Sequence, residues 1–236
     1  MHFNEYNQPI GEPLPHWTIR KTPEKKCFNG SYCTLEPLEA NKHANELYNA
    51  YSQAKDDSDW TWLPVGPFKD FDHYFRIAES FELSKDQIHY TIIDNVTSQA
   101  IGSIALIRID PQNGSLEMGF VLYSPLLKRT RIATEAQYLL MKYVFDDLGY
   151  RRYEWKCDSL NEPSEKAALR LGFTYEGTLR KLIIYKGRSR DTSWFSLLND
   201  EWFFNKKVLE SWLDEKNFDE KNLQIKSIQQ IRKDFL

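Results

Sequence analysis

Apolar and polar positions along the chain repeat with two different periods, and the places where the period changes lay out a series of strands and helices. Residues 1–26 hold Pro9, Pro13, Pro15 and Pro23 without sustained periodicity, which predicts an extended arm along the domain surface. After the Asn29-Gly30 turn signal, 32–35 reads as a short strand and 38–51 as a helix with Leu47, Tyr48 and Tyr51 on one side. An acidic and aromatic loop, Asp56-Asp57-Ser58-Asp59-Trp60-Thr61-Trp62-Leu63-Pro64, precedes a second helix at about 68–83. Residues 88–93 and 100–109 are rich in Ile and read as an antiparallel hairpin, and Asn113-Gly114 turns the chain into a third strand at 115–123.

From 131 to 147, Ile132, Ala136, Leu139, Leu140, Tyr143 and Val144 recur at helical spacing, with Gly149 as the stop. A strand at 153–157, a helix at 162–171 ended by Gly172, and strands at 179–186 and 192–198 follow. Three charges in Gly187-Arg188-Ser189-Arg190-Asp191 predict a solvated hairpin loop between the last two strands. Beyond Asn199, Trp202, Phe203, Val208, Leu209, Trp212 and Leu213 form a helical stripe, whereas 214–236 is mixed in charge and shows no clear pattern. The order of elements predicts an α/β domain with a mixed sheet, and neither a doubly wound fold nor a barrel has that order. The expected division is an arm at 1–26, one domain at 27–198 and a helical extension at 199–236.

Composition narrows the function classes. A chain of 236 residues exceeds the common domain size of about 150 and can bury roughly 70% of its unfolded surface, so it needs no disulfide or metal staple. The 31 Lys and Arg nearly balance 34 Asp and Glu, for a net charge of −3, so no global field draws the protein to nucleic acid or to an anionic membrane. Cys27, Cys33 and Cys157 form no CxxC pair, and their odd number speaks against a disulfide framework or a structural zinc site. His2, His16, His43, His73 and His89 lack metal-binding spacing, so no metal is expected. With no signal-peptide pattern and no run of about 18 apolar residues, the sequence predicts a soluble cytoplasmic protein without a nucleic-acid or membrane partner.

One stretch carries candidate chemistry. No acidic residue lies between Met118 and Thr134, yet Lys128, Arg129 and Arg131 cluster just before a predicted helix. Free backbone N–H groups, the helix dipole and three cations would together suit a pyrophosphate. A solvated basic loop is the alternative that this stretch alone leaves open.

The run Pro125–Ala136 resembles the cofactor-loop motif Q/R-x-x-G-x-G/A of the GCN5-related N-acetyltransferase (GNAT) superfamily, with Lys128, Arg131 and Ala133 at its three defining places. Lys128 replaces Gln or Arg there, and Arg131 replaces glycine. Leu116-Glu117-Met118-Gly119-Phe120, Asn161-Glu162-Pro163-Ser164, Leu171-Gly172-Phe173 and Glu176-Gly177-Thr178-Leu179-Arg180 resemble motifs of the branch that acetylates ribosomal-protein N-termini (RimJ/RimL-like). Trp62-Leu63-Pro64 and Gly66-Pro67-Phe68 agree with that branch, and the likeness spans about 30–198.

The resemblance implies a mostly antiparallel sheet with flanking helices and a splayed strand pair that admits acetyl-CoA. Phe120, Val121, Leu122 and Tyr123 would pair with pantetheine, Lys128, Arg129, Thr130, Arg131, Ile132, Ala133 and Thr134 would hold the pyrophosphate, and Asn161 would reach the pantetheine arm. Asn161 is equally suited to cap a helix. Glu117, on a strand face opposite Leu116 and Met118, is the candidate base; a solvent-facing strand Glu is its alternative. Many members place a Tyr where this chain has Ala168, so Ser164 becomes the candidate for returning a proton to the thiolate, against a plain helix-turn hydroxyl. Trp60, Trp62 and Trp155 could line an acceptor pocket near Asp56, Asp57 and Asp59, with core aromatics and a solvated acidic loop as the alternative. Cys157 reads as a small buried hydrophobe. The acceptor is expected to be a primary amine, either a small molecule or a protein N-terminus, and the oligomeric state is not legible. A catalytically silent acyl-CoA-binding module, or a protein-interaction module, is the rival reading.

Overall fold

The Ile-rich central strands, buried on both faces, assemble into one eight-stranded sheet in the computed structural model, which describes residues 1–236. In the arm, β1 (His2–Phe3) and β2 (Pro9–Ile10) pair with each other. The sheet is built from β3 (Phe28–Asn29), β4 (Cys33–Pro37), β5 (Ile88–Asp94), β6 (Ala100–Asp110), β7 (Ser115–Tyr123), β8 (Arg152–Asp158), β9 (Thr174–Tyr185) and β10 (Arg188–Leu198), in the order β3-β4-β5-β6-β7-β8-β10-β9. Every neighbouring pair is antiparallel except β7 and β8, which run parallel from Ser115 opposite Arg152 to Met118 opposite Trp155. Past that point the two strands no longer pair.

Helices α1 (Ala40–Tyr51) and α2 (Phe71–Glu82) cover one face; their core joins Leu47, Tyr51 and Tyr74 to Ala100 and Leu122 of the sheet. The larger core packs α3 (Arg131–Lys142), α5 (Asn199–Leu213) and α6 (Ile228–Asp234) on the opposite face, against Leu116, Met118, Tyr153, Trp155 and Cys157. The 10-residue helix α4 (Glu162–Leu171) follows β8 and ends at Gly172, whose φ of 102° only glycine adopts readily. A Cβ at Gly172 would also meet Asn205 Oδ1 at 2.0 Å.

Several expectations shift. The helix expected at 131–147 is α-helical to Lys142 and closes in a π-helical turn at Tyr143–Asp147. β9 starts at Thr174 instead of 179, because Thr174 to Thr178 pair with β10 through their backbones while their polar side chains mask the strand from a hydrophobicity reading. The loop expected at 187–191 is a two-residue turn, Lys186-Gly187, with φ of 48° and 69°, and so Arg188, Arg190 and Asp191 belong to β10. Such left-handed two-residue turns match strand twist, which explains the tight connection. In the patternless tail, Ser227 and Gln230 form a capping box that starts α6.

The terminal segments are tied to the sheet. Trp202, Val208, Leu209, Trp212, Leu213, Ile228 and Ile231 lie in the larger core itself. In the arm, Trp17 Nε1 donates to the Gln112 carbonyl at 2.9 Å and Glu24 N–H donates to Tyr143 Oη at 2.9 Å. No helix is long and apolar enough to cross a membrane.

Candidate active site

Where β7 and β8 part, they open a cleft of about 2560 Å³ that runs from the N-terminus of α3 to the β9–β10 hairpin. Its floor is set by a bulge in β7. Leu122 faces Ser103 and Gly119 faces Ala105, so Phe120 and Val121 together oppose one residue of β6. Phe120 takes a φ of 47° there, and its ring turns away from the cleft onto Phe81 and His89, each at 5.1 Å. From Gly119 to Tyr123 the strand has a partner on its β6 side only, so backbone groups on the β8 side are left for a guest.

The loop before α3 supplies the opposite end. Thr130 caps the helix, its Oγ1 accepting from Ala133 N–H at 3.2 Å. Arg129 has a φ of 63°, and the N–H groups of Arg129, Arg131 and Ile132 find no acceptor within the chain. Consecutive free N–H groups at a helix start form an anion cradle. Arg131 is the first residue of the helix with ordinary helical backbone, so the glycine expected at this place has no conformational duty here.

The three cations are not the simple cluster expected from sequence. Lys128 is ion-paired with Asp59. The Arg131 guanidinium lies between the rings of Tyr32 and Phe218, at 4.1 and 3.9 Å, and donates to Asn222 Oδ1 at 2.9 Å. Arg129 alone of the three makes no ion pair, ring contact or side-chain hydrogen bond. The unpaired N–H groups and the open strand edge together fit the diphosphate and amide groups of an acyl-CoA donor.

Glu117 sits on the face opposite Leu116 and Met118, 6% exposed, at the point where the strands part. Lys156 Nζ lies 2.9 Å and Arg108 Nε 3.0 Å from the same oxygen, Oε2, as charge contacts without hydrogen-bond alignment. Burial pushes the Glu117 carboxyl above the usual carboxylate range, against the opposing pull of Lys156 and Arg108. Its Oε1 makes no hydrogen bond within the chain. Lys156 is itself only 6% exposed and bridges onward to Glu154 at 2.7 Å, with the face of Trp194 3.4 Å away. Neither Lys156 nor Arg108 was singled out from the sequence. The signal was present in the alternation of Glu154 and Lys156 against Tyr153, Trp155 and Cys157, which puts two charges on one sheet face.

Across the cleft, Asn161 is the N-cap of α4, Oδ1 accepting from Ser164 N–H at 3.2 Å. Ser164 Oγ accepts from the Trp155 indole at 3.0 Å, with the Cys157 thiol as its neighbour for the hydroxyl proton. Burial pushes the Cys157 thiol up to about 11 despite the opposing Ser164 hydroxyl, so it stays protonated near neutrality and is a poor nucleophile. Ala168 is fully buried in the core.

All the residues expected from sequence line this one cleft, Trp60, Trp62 and Trp155 among them. The acidic loop is engaged within the chain. Asp56 caps its own turn by accepting from Ser58 N–H at 3.0 Å, and Asp59 is spent on Lys128. Trp60 is largely buried against Tyr51 and Phe68. The loop is held from outside by the hairpin tip: Lys186 Nζ donates to the Trp60 and Val65 carbonyls at 2.7 and 3.2 Å, and Arg188 donates to the Thr61 carbonyl.

Residues 33–174 match the Acetyltransferase (GNAT) domain family. The chain belongs to the GNAT family. A GCN5-related N-acetyltransferase from Brucella melitensis, known from its crystal structure, is 44% identical with a TM-score of 0.92, covering 93% of this chain and 100% of that one. An uncharacterized N-acetyltransferase of Bacillus licheniformis is 31% identical over 144 residues, 60% of this chain and 80% of its own length. A Salmonella typhimurium acetyl transferase described as modifying the N-terminal serine of a 50S ribosomal subunit protein is 18% identical with a TM-score of 0.61, over 72% of this chain and 96% of that one, and shares the fold. This GNAT protein is an N-acetyltransferase, and the parted β7 and β8 are the splayed pair of that fold.

Proposed function

We propose that this GNAT enzyme moves an acetyl group from acetyl-CoA directly to a primary amine, on a small molecule or a protein N-terminus. The observation that carries the reading is the continuity of one cleft from the free N–H groups at the start of α3, through the β7–β8 notch, to Glu117. Acetyl-CoA supplies the activated acyl group as a thioester. The α3 cradle, with Arg129, holds the diphosphate, and the open edge of Phe120 to Tyr123 holds the pantetheine amides. Asn161, whose Oδ1 is engaged in capping, has its amide N–H₂ left for the same arm.

Glu117 Oε1 accepts the proton of the incoming amine, whose nitrogen lone pair forms the new N–C bond. The C–S bond breaks as that bond forms, and the departing sulfur takes a proton from the Ser164 hydroxyl, which bulk water restores. Trp155 fixes that hydroxyl through its indole N–H, and Trp60 and Trp62 wall the acceptor side. Three unpaired cysteines fit a reducing compartment such as the cytoplasm. The test is a mass-spectrometric screen of amines and peptide N-termini with acetyl-CoA. A mass gain of one acetyl group on an amine, with matching thiol release, is expected. Acetyl-CoA binding without turnover of any amine would leave the silent binding module as the better reading.

A further inference from the structure

The far end of the cleft contains polar atoms that nothing in the chain satisfies. Strand β10 lines it with Arg190, Thr192 and Trp194, and β9 with Leu182, Ile183 and Tyr185. Arg190 Nε and Thr192 Oγ1 are both fully shielded from solvent and have no hydrogen-bond partner. Thr192 is 0% exposed and stands opposite Asp158 in the β8–β10 register.

Nearby carboxylates are already engaged. Asp158 accepts from the Tyr185 hydroxyl at 2.6 Å through Oδ2 and from Leu160 N–H at 2.9 Å through Oδ1. Glu117 is matched by Lys156 and Arg108, and Asp191 Oδ1 accepts from Lys181 N–H at 2.7 Å. Arg190 therefore forms no ion pair, and its guanidinium rests 5.8 Å from the centre of the Tyr185 ring. Thr192 is a buried hydroxyl without a partner, which is costly to maintain, and Arg190 is half-buried with its Nε shielded and unpaired. Both lie on one strand, in the same cleft as the proposed base.

We propose that the acceptor is a primary amine that also carries a carboxylate, bound by Arg190 with Thr192 as the second donor. This rests on the amine-acetylation reading and narrows it to amino acids or to peptides with an acidic residue beside the N-terminus. Guanidinium and hydroxyl donors recognise a carboxylate and discriminate against its neutral amide, because the amide leaves the guanidinium uncompensated.

The experiment compares matched acceptors on wild type and Arg190→Gln: free serine against serinamide, and a short peptide beginning Ser-Asp against one beginning Ser-Asn. Wild type is expected to prefer the carboxylate of at least one pair by about 10- to 100-fold in kcat/KM, the scale of a charge-assisted contact. That preference should fall to near unity in Arg190→Gln and decrease partially in Thr192→Val. The pair that shows it identifies the source of the carboxylate. Equal turnover of both members of each pair by wild type, or a preference that survives Arg190→Gln, overturns the proposal while leaving the enzyme reading intact. If no amine is turned over, the enzyme reading fails, and calorimetric titration of the same acids still decides. Binding to wild type that is lost in Arg190→Gln supports the carboxylate site, and binding to neither overturns it.

Discussion

Replacing Glu117 by Gln keeps the shape of the side chain and removes the charge at the point where β7 and β8 part. If Glu117 takes the proton of the amine, turnover should fall by about 10²- to 10⁴-fold, which is roughly 2.7 to 5.5 kcal/mol of barrier. The same change has a structural cost that must be separated from the chemical one. Lys156 loses one of its two carboxylates but keeps Glu154 at 2.7 Å and the ring of Trp194 at 3.4 Å. Leaving a buried ammonium partly uncompensated costs about 2 kcal/mol, or roughly 4 to 8 °C in Tm for a chain of this size. A loss of that size leaves the protein folded at assay temperature, so reduced activity cannot be charged to unfolding. The assay is single-turnover acetylation across pH 5 to 9, with acetyl-CoA affinity from calorimetry as the control. Because burial raises the Glu117 carboxyl, the acidic limb of the wild-type rate should lie above the usual carboxylate range and disappear in Glu117→Gln. Lys156→Met, which removes a cation that pulls the carboxyl down, should move the limb to higher pH. A Glu117→Gln enzyme with the wild-type rate and the same acidic limb would refute the assignment and leave water as the base.

The other expectations are narrower. Ser164→Ala should slow the chemical step and shift the high-pH limb with donor affinity unchanged; full single-turnover activity would reduce Ser164 to a partner of the Trp155 indole. Arg131→Gly should hold acetyl-CoA within a few-fold by calorimetry, since the contacts there are backbone ones, while losing about 2 kcal/mol in denaturant unfolding from the aromatic sandwich and the helix. Burial, with Lys25 adding to it, lowers the His89 imidazole to about 3. The folded state therefore binds fewer protons than the unfolded state between that value and the ordinary 6.5, and stability is present above 6.5 and lost as pH falls. Between pH 7 and pH 5 the loss is on the order of 2 kcal/mol, and His89→Gln should flatten that dependence in urea unfolding curves.

The sheet was legible because its central strands are rich in Ile between turn signals and because Asn113-Gly114 and Gly172 sit where backbone geometry demands them. Glu117 was legible from alternation alone, since Leu116 and Met118 fix which way it points. The charged environment around it was not, because Arg108, Lys156 and Glu117 lie on three different strands and meet only through sheet register. Arg190 was hidden for a different reason. A run of three charges beside a glycine resembles a solvated tip, and only the left-handed pair Lys186-Gly187 shows that the turn closes earlier. Glu135 was missed as well: a helical residue with no pattern of its own, it accepts from the N–H groups of Ser31, Tyr32 and Cys33 at 2.7, 2.7 and 2.8 Å and so pins α3 to the start of β4. The Arg131 guanidinium is held by aromatic rings from two distant segments while its N–H stays free at the start of α3, and sequence spacing carries no sign of such a pairing.

That capture of Arg131 by Phe218 and Asn222 bears on the order in which the protein matures during translation. The residues matching the family end at 174, yet the wall beside the diphosphate cradle includes Trp212, Phe218, Asn222 and Gln224. At ordinary elongation rates of about 5 to 20 residues per second, the sheet emerges from the ribosome several seconds before the segment that completes it. During that interval Tyr138 and Phe145 lack the cover that Trp202 of α5 provides. A nascent chain halted near residue 200 would therefore display a sticky apolar face to chaperones.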